Sequence, residues 1–307
     1  MAISIDPATR PVATATFPDG LVERAEYLGP PGARVLTLQH VPTAQPRAAV
    51  VICSPIHGEF ARNYRREVLF ARRLARDGIA VERFHYRCTG NSDGDGEHLT
   101  FDSMVEDSLS CVEHLLREAG EVPLVIVGAR WGSIVAASTA ARSGAAVAVV
   151  LWEPLLDASR FFKDAFRNKL VKEKRAGAID IETSADLERR LLAGESVDVV
   201  AHRIEVELYR TSAGRTLGDE LGTDPRDLLV VQLGTTGTLR REIVQQVEHW
   251  QTAGLRVDTA VVRGEEAWWL VDETLYDEGS RPVTQELVTV STDWIGRRAL
   301  PPGGSSR

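Results

Sequence analysis

Short apolar runs alternate along this chain with longer stretches in which apolar residues recur every three or four positions. The first pattern is typical of buried strands and the second of helices, and their alternation indicates a parallel sheet covered by helices on both faces. We therefore predict an α/β fold. The predicted strands are 48–53, 79–85, 123–127, 146–152, 227–233 and 256–262, and the predicted helices are 63–76, 101–119, 132–142, 239–253 and 283–296.

Two segments depart from the alternation. Residues 21–28 and 33–40 flank a Gly-Pro-Pro-Gly turn at 29–32 and predict an antiparallel hairpin. Residues 153–225 are more charged and less periodic than their flanks, and an insertion of that length in an α/β domain is usually a cap over the edge of the sheet where ligands bind. We expect a single domain spanning 1–307, with this inserted cap and a flexible tail at 301–307.

Charge and composition exclude several classes of protein. The net charge is −8 and the cations are scattered, which argues against a nucleic-acid partner. The first thirty residues contain no long apolar stretch, so we expect no secretory signal, no membrane span and a cytoplasmic location. Three isolated cysteines give neither a disulfide framework nor zinc-site spacing, and we expect neither a metal nor a cofactor.

Three motifs follow one another in the first half of the chain: SPIHGEFARNY at 54–64, FHYRCTGNSDG at 84–94 and VIVGARWGS at 125–133. Together they resemble the serine aminopeptidase and monoglyceride-lipase branch of the α/β-hydrolase superfamily. Within that branch the chain looks most like the hydrolase-like proteins associated with bacterial exosortase systems, which also have arginine in the third motif. The resemblance implies an α/β-hydrolase fold, with a serine nucleophile on the turn at 128–132.

The residue in that place is Arg130, within the sequence Gly128-Ala129-Arg130-Trp131-Gly132. In a G-x-S-x-G elbow the flanking glycines permit a strained turn that lifts the central side chain above the sheet. A guanidinium stays protonated and has no nucleophilic lone pair, so arginine cannot replace the serine. The acid and the histidine of the triad are expected near 234–238 and 264–269, but these stretches read GTTGT and GEEAWW. We predict a degenerate triad, and therefore not an ordinary serine hydrolase.

The residues that remain predict a different polar site. The resemblance places His57 and Gly58 in the loop that shapes the oxyanion hole. We take His57 and Glu59 as candidate acid/base residues. Arg130 needs a carboxylate partner if it is buried, with Glu265 or Glu266 as first candidates and Glu59 as the next. The full set of expected ligand-binding residues is Arg130, Trp131, Gly58, Glu265, Glu266, Trp268 and Trp269.

Several alternatives stay open at the level of the sequence. Arg130 either forms an internal salt bridge or holds an anionic group of a ligand. Ser133 is a weak candidate for a displaced nucleophile, because it lies a turn into the helix. The chain is then a binding protein for a small acyl-bearing or anionic molecule, a non-serine enzyme working through His57 and Glu59, or a protein-interaction pseudoenzyme subunit. A homodimer is also left open.

Overall fold

The computed structural model describes residues 13–179, 181–200, 202–224, 226–264 and 280–298. Its centre is a nine-stranded sheet in the order β1-β2-β3-β5-β4-β6-β7-β10-β11. The strands are β1 Ala13–Thr16, β2 Val22–Leu28, β3 Val35–Val41, β4 Ala48–Cys53, β5 Ile79–Phe84, β6 Leu124–Ala129, β7 Ala146–Trp152, β10 Asp227–Gly234 and β11 Arg256–Arg263. The expected hairpin β2–β3 is antiparallel, and the strands from β5 to β11 run parallel.

Helices cover both faces of this sheet. They are α1 His57–Arg76, α2 Phe101–Ala119, α3 Trp131–Ser143, α8 Arg241–Thr252 and α9 Ser280–Arg298, with a short 3-10 helix at Gly96–His98. Between β7 and β10 lie α4 Ser159–Arg175, α5 Ser184–Leu192, the small hairpin β8 Val197–Val199 and β9 His202–Ile204, α6 Val206–Ser212 and α7 Leu217–Leu221. We refer to residues 153–225 as the inserted segment.

The apolar residues of the central strands divide between two cores. In β4, Val50 and Ile52 pack with the α1 and α9 side, whereas Val51 and Cys53 pack with the α2 and α3 side. Because successive side chains of a strand point to opposite faces, a strand buried on both faces reads as one continuous apolar run. This is why the sequence located the central strands to within one or two residues.

Three features of the fold differ from the prediction. Helix α1 begins at His57 rather than at residue 63, because residues 57–62 contain few apolar positions and gave no helical period. Strand β1 extends the sheet by an edge strand whose residues are all exposed, so it carries no burial pattern. The inserted segment, which is less periodic in sequence than its flanks and gave no predicted elements, has four helices and a hairpin among its described residues. Every described helix is too short or too polar to cross a membrane.

Candidate functional site

The site lies at the carboxyl edge of the sheet, where three neighbouring strands end in unusual backbone conformations. His57 follows β4 with φ of 53°, Arg130 follows β6 with φ of 51°, and Glu153 follows β7 with φ of 46°. Residues with a Cβ rarely adopt positive φ, and such conformations cluster at functional sites. The chain therefore turns sharply at three adjacent points along one edge.

Arg130 occupies the turn between β6 and α3, with ψ of −118°. Its N–H donates to the carbonyl oxygen of Trp152 at 2.9 Å, which fixes the turn to the neighbouring strand β7. A Cβ at Gly132 would overlap the carbonyl oxygens of Cys53 and Ser54, and a Cβ at Gly128 would overlap the backbone of Gly132. Gly132 is therefore required for α3 to begin so close to the end of β4, and Gly128 for α3 to begin so close to β6.

The Arg130 guanidinium forms a buried ion pair with Glu59. Its Nη2 lies 3.0 Å from Glu59 Oε1 and its Nε lies 3.3 Å from both carboxylate oxygens. Arg130 and Glu59 are 4% and 7% exposed, and Asp164 of α4 lies 3.8 Å from Nη2. Burial raises the pKa of Glu59, and the Arg130 charge opposes that rise. Glu59 is thus a partner of Arg130, whereas Glu265 and Glu266 lie outside the described residues.

A second ion pair, between the buried Glu153 and the partly exposed Arg240, lies beside the first and was not predicted from the sequence. Glu153 is fully buried, accepts a hydrogen bond from the backbone N–H of Leu233, and lies 2.8 Å from Arg240 Nη2. Burial raises the pKa of Glu153 and the Arg240 charge opposes it. A glutamate that directly follows a buried strand at the ligand-binding edge was the available signal. Its partner follows the GTTGT stretch where the triad acid was expected.

His57 contacts the inserted segment rather than a carboxylate. Its ring stacks on that of His202 in β9 with centroids 4.4 Å apart, and on Phe161 of α4 at 6.0 Å. The Nε2 atom has no hydrogen-bond partner among the described residues, and burial lowers the pKa of His57 to about 3. The imidazole is therefore neutral near pH 7. The neighbouring Gly58 has only ordinary clearance from the Arg62 side chain, so nothing there demands a glycine.

Trp131 does not form the pocket surface that we expected. It is fully buried, packs edge-on against Phe161 and Phe162 of α4, and has its Nε1 3.2 Å from Met104 Sδ. The reason is its position as the first residue of α3, which turns the indole into the core between α2 and α4. Trp268 and Trp269 lie outside the described residues.

Two cavities flank His57 and Arg130. The first, which we call the Arg130 cavity, has a volume of about 390 Å³ and is lined by Arg130 and Arg240 from the sheet edge and by Arg160, Lys163 and Asp164 of α4. The second has a volume of about 340 Å³, is mostly apolar, and lies on the His57 side between Phe60, Tyr86 and Leu208. The sheet edge and the inserted segment therefore border an open cavity on each side of the elbow.

The remaining candidates for a nucleophile or a base are Ser133 and the other histidines. Ser133 is fully buried and its hydroxyl donates to the Gly128 carbonyl oxygen at 3.4 Å, so it faces neither cavity. All seven histidines fall within the described residues, and none follows β11 in the sequence. His249, which precedes β11, is an exposed residue of α8.

Solved structures with the same fold include esterases and hydrolases. Est1E from Butyrivibrio proteoclasticus, solved with bound ferulic acid, matches with a TM-score of 0.62 at 14% identity, over 89% of this chain and 98% of Est1E. XC6422 from Xanthomonas campestris, described as an a/b serine hydrolase without lid, matches with a TM-score of 0.52 at 16% identity, over 94% of this chain and 100% of that protein. At such identities the likeness establishes the fold alone.

The sequence itself matches one family model. No curated protein matches the chain significantly. The model of the serine aminopeptidase S33 family matches residues 44–205, which is more than half of the chain and includes the strands β4, β5, β6 and β7 with the elbow. Because this match covers more than half of the chain and the fold agrees with it, the chain belongs to the serine aminopeptidase S33 family of the α/β-hydrolase superfamily.

Proposed function

We propose that this protein has lost the serine-hydrolase triad and binds a small acyl-bearing or anionic ligand in the Arg130 cavity. The observation that carries the proposal is the guanidinium of Arg130 at the elbow, held by the buried carboxylate of Glu59 at 3.0 Å. A family member with a nucleophile has a hydroxyl on this turn. Here the turn carries a guanidinium, which is paired with Glu59 and cannot attack a carbonyl carbon.

Support for loss of the triad comes from each of its three positions. The elbow has Arg130, the loop after β10 reads GTTGT without a carboxylate, and no histidine follows β11. A serine hydroxyl is a weak nucleophile unless a base within hydrogen-bond reach removes its proton. The buried hydroxyl of Ser133 donates to a backbone carbonyl instead, which makes it a poor substitute.

Support for an anionic ligand comes from Lys163, one of four cations that line the cavity together with the carboxylates of Asp157, Asp164 and Glu242. Arg160 pairs with Asp164, and Arg240 pairs with Glu153. The Lys163 ammonium donates to the Ser159 hydroxyl at 3.1 Å and contacts no carboxylate among the described residues. It is thus available to a carboxylate or phosphate of a ligand, and a volume of about 390 Å³ lies in the range of small-molecule sites.

The inserted segment supplies one wall of this site in our proposal. Arg160, Lys163 and Asp164 belong to α4, whereas Arg130 and Arg240 belong to the sheet edge. We infer that residues 153–225 act as a cap within a single domain, and that ligand binds between cap and sheet. A cytoplasmic location and a homodimer stay predictions from the sequence.

The two rival functions have less support. Acid/base catalysis needs groups free to exchange protons, but the Glu59 carboxylate is engaged by Arg130, and a pKa of about 3 makes His57 a weak base at neutral pH. A pseudoenzyme subunit that only binds other proteins needs no open cavity, so the space beside Arg130 favours a ligand-binding role.

Calorimetric titration with octanoate, octyl phosphate and the uncharged octanol tests the proposal. We expect one molecule of either anion to bind and octanol to bind at least tenfold more weakly, because a charge-assisted hydrogen bond contributes about 1.5–3 kcal/mol. Lys163→Met should weaken anion binding by about the same factor. The matched control is Lys174→Met, on the same helix but away from the cavity, which should bind as the parent does.

Equal affinity for octanol and the anions, or unchanged anion binding by Lys163→Met, would refute an anion site in this cavity. Failure of both anions to bind at millimolar concentration would refute the ligand class itself.

A further inference from the structure

A buried histidine surrounded by carboxylates lies outside the site described above. His114 and Glu118 are one turn apart on α2, Glu26 belongs to β2, and Glu82 belongs to β5. Residues at i and i+4 share one face of a helix, so α2 presents His114 and Glu118 together toward the sheet. Nothing in the proposed function uses this cluster, and the inference from it does not depend on that function.

Three potential ligand atoms, one each from Glu26, His114 and Glu118, lie close enough together for one ion to contact all of them. His114 Nε2 lies 3.7 Å from Glu26 Oε2 and 3.9 Å from Glu118 Oε1, and the three ligand atoms all lie within 4.8 Å of one another. These distances exceed those of hydrogen bonds. Tetrahedral ligands about 2.1 Å from one ion are separated by roughly 3.4 Å, so small side-chain movements would bring these atoms into coordination. We propose that His114, Glu26 and Glu118 bind a divalent transition-metal ion, best matched by Zn²⁺.

The Glu26 carboxylate is an independent indication of a ligand. Its side chain is 9% exposed, and it makes no hydrogen bond to any described residue. Its nearest nitrogen is His114 Nε2 at 3.7 Å. A carboxylate so largely removed from water is normally paired or coordinated to a metal when it is ionised. An ion between Glu26 and His114 supplies that partner.

Glu82 orients the histidine for this role. Its carboxylate oxygens lie 3.1 and 3.2 Å from His114 Nδ1, and Glu82 is fully buried. Gln39 Nε2 also lies 3.3 Å from Nδ1. With the proton on Nδ1 donated to Glu82, the lone pair of a neutral imidazole lies on Nε2, which is the atom that faces Glu26 and Glu118. Metal-binding histidines characteristically have such a carboxylate on the other ring nitrogen.

The charge of the surroundings favours a cation. Three carboxylates, of Glu26, Glu82 and Glu118, surround one imidazole, and the described cation at the cluster is Arg24, 3.6 Å from Glu118. The mixture of one imidazole nitrogen and two carboxylate oxygens suits Zn²⁺ better than Mg²⁺, which prefers oxygen ligands and retains its water. The bound ion would tie the hairpin strand β2 to α2.

Sequence spacing cannot reveal this site. Its ligands come from β2 and α2, which are far apart along the chain, whereas metal sites are recognisable in a sequence only when their ligands follow one another at short spacing. The sheet brings the strands together under α2, and only the folded chain shows the three groups side by side.

Zinc titration of the full chain after dialysis against EDTA tests the proposal. We expect calorimetry to show that one Zn²⁺ binds, that it raises the melting temperature and that EDTA releases it. At equal concentration Mg²⁺ should neither bind nor raise the melting temperature. Glu26→Gln and Glu118→Gln should each weaken Zn²⁺ binding by at least tenfold. Glu82→Gln, which alters the orienting residue, should weaken it by roughly 10–100-fold. Glu113→Gln, an exposed change on the same helix, should bind as the parent does.

Glu118 is half-exposed, so its replacement leaves the core unchanged. Weaker Zn²⁺ binding by Glu118→Gln therefore does not result from a loss of folding. Circular dichroism of each variant without metal confirms the fold. Absence of Zn²⁺ binding by the parent would overturn the proposal, and so would binding that Glu26→Gln and Glu118→Gln leave unchanged, because the ion would then lie elsewhere.

Discussion

A buried arginine is energetically unfavourable at the position of Arg130, directly after β6. It is 4% exposed, its backbone has φ of 51°, and it stands at the start of α3, where the N–H groups and the helix dipole repel a cation. Burying a charge costs several kcal/mol unless a partner compensates. Glu59 supplies that compensation from the first turn of α1, the helix that follows β4, which is the strand next to β6. The elbow is therefore built around an ion pair.

A double-mutant cycle measures this pair. Arg130→Met and Glu59→Gln should each lower the free energy of unfolding by roughly 3 kcal/mol, because the first leaves the buried Glu59 carboxylate without its guanidinium and the second removes the nearest carboxylate from Arg130. The double variant should recover part of the loss, with a coupling energy above about 1 kcal/mol. Urea unfolding of the four proteins provides the numbers, with Arg142→Met at an exposed position of α3 as the control. Additive losses would show that the two side chains do not stabilise each other.

Single residues differ in how well the sequence revealed them. The need of Arg130 for a carboxylate followed from its residue type and position alone, and Glu59 was among the named partners. The choice of Glu59 depends on α1 starting at His57, which the sequence did not predict. Trp131 was misjudged because its side chain direction is set by packing against Phe161 and Phe162, residues of a segment with weak periodicity.

At the scale of elements, the site depends on how closely α3 approaches β4. The connection works because Gly128 and Gly132 lack side chains where backbone meets backbone. Strands such as β4 and β7 were predictable because burial on both faces gives an unmistakable apolar run. The start of α1 and the helices of the inserted segment were not predictable. Their polar residues interrupt the apolar spacing by which a helix is recognised in a sequence.

Gly132→Ala should destabilise the fold strongly. Its Cβ would overlap the carbonyl oxygens of Cys53 and Ser54, which are backbone atoms and cannot rotate away, so we expect a loss of at least about 3 kcal/mol. Gly218→Ala is the matched control: its Cβ would lie an ordinary 3.5 Å from the Gln246 side chain, and the change should stay below about 1 kcal/mol. Urea unfolding compares them. Similar losses for both variants would contradict the close approach of α3 and β4.

At the scale of the whole molecule, the sheet edge and the inserted segment form one polar and one apolar cavity on either side of the elbow. Aromatic rings contribute to the contact between the sheet edge and the inserted segment: His57 of α1 stacks on His202 of β9, and Trp131 of α3 packs on Phe161 of α4. The fold and the family were predictable from apolar alternation and from the three motifs. The cavities were not, because they depend on how the inserted segment lies over the sheet.

Reaction with a fluorophosphonate probe, followed by intact-mass measurement, tests the central claim that the elbow carries no serine nucleophile. A serine hydrolase with an intact triad, treated in parallel, verifies the probe. We predict that this protein stays unmodified. Arg130→Ser should also stay unmodified, because a hydroxyl alone lacks the base that activates it, and His57 has a pKa of about 3. A stoichiometric adduct on Ser133 or any other serine of the parent, or on the new serine of Arg130→Ser, would contradict the account.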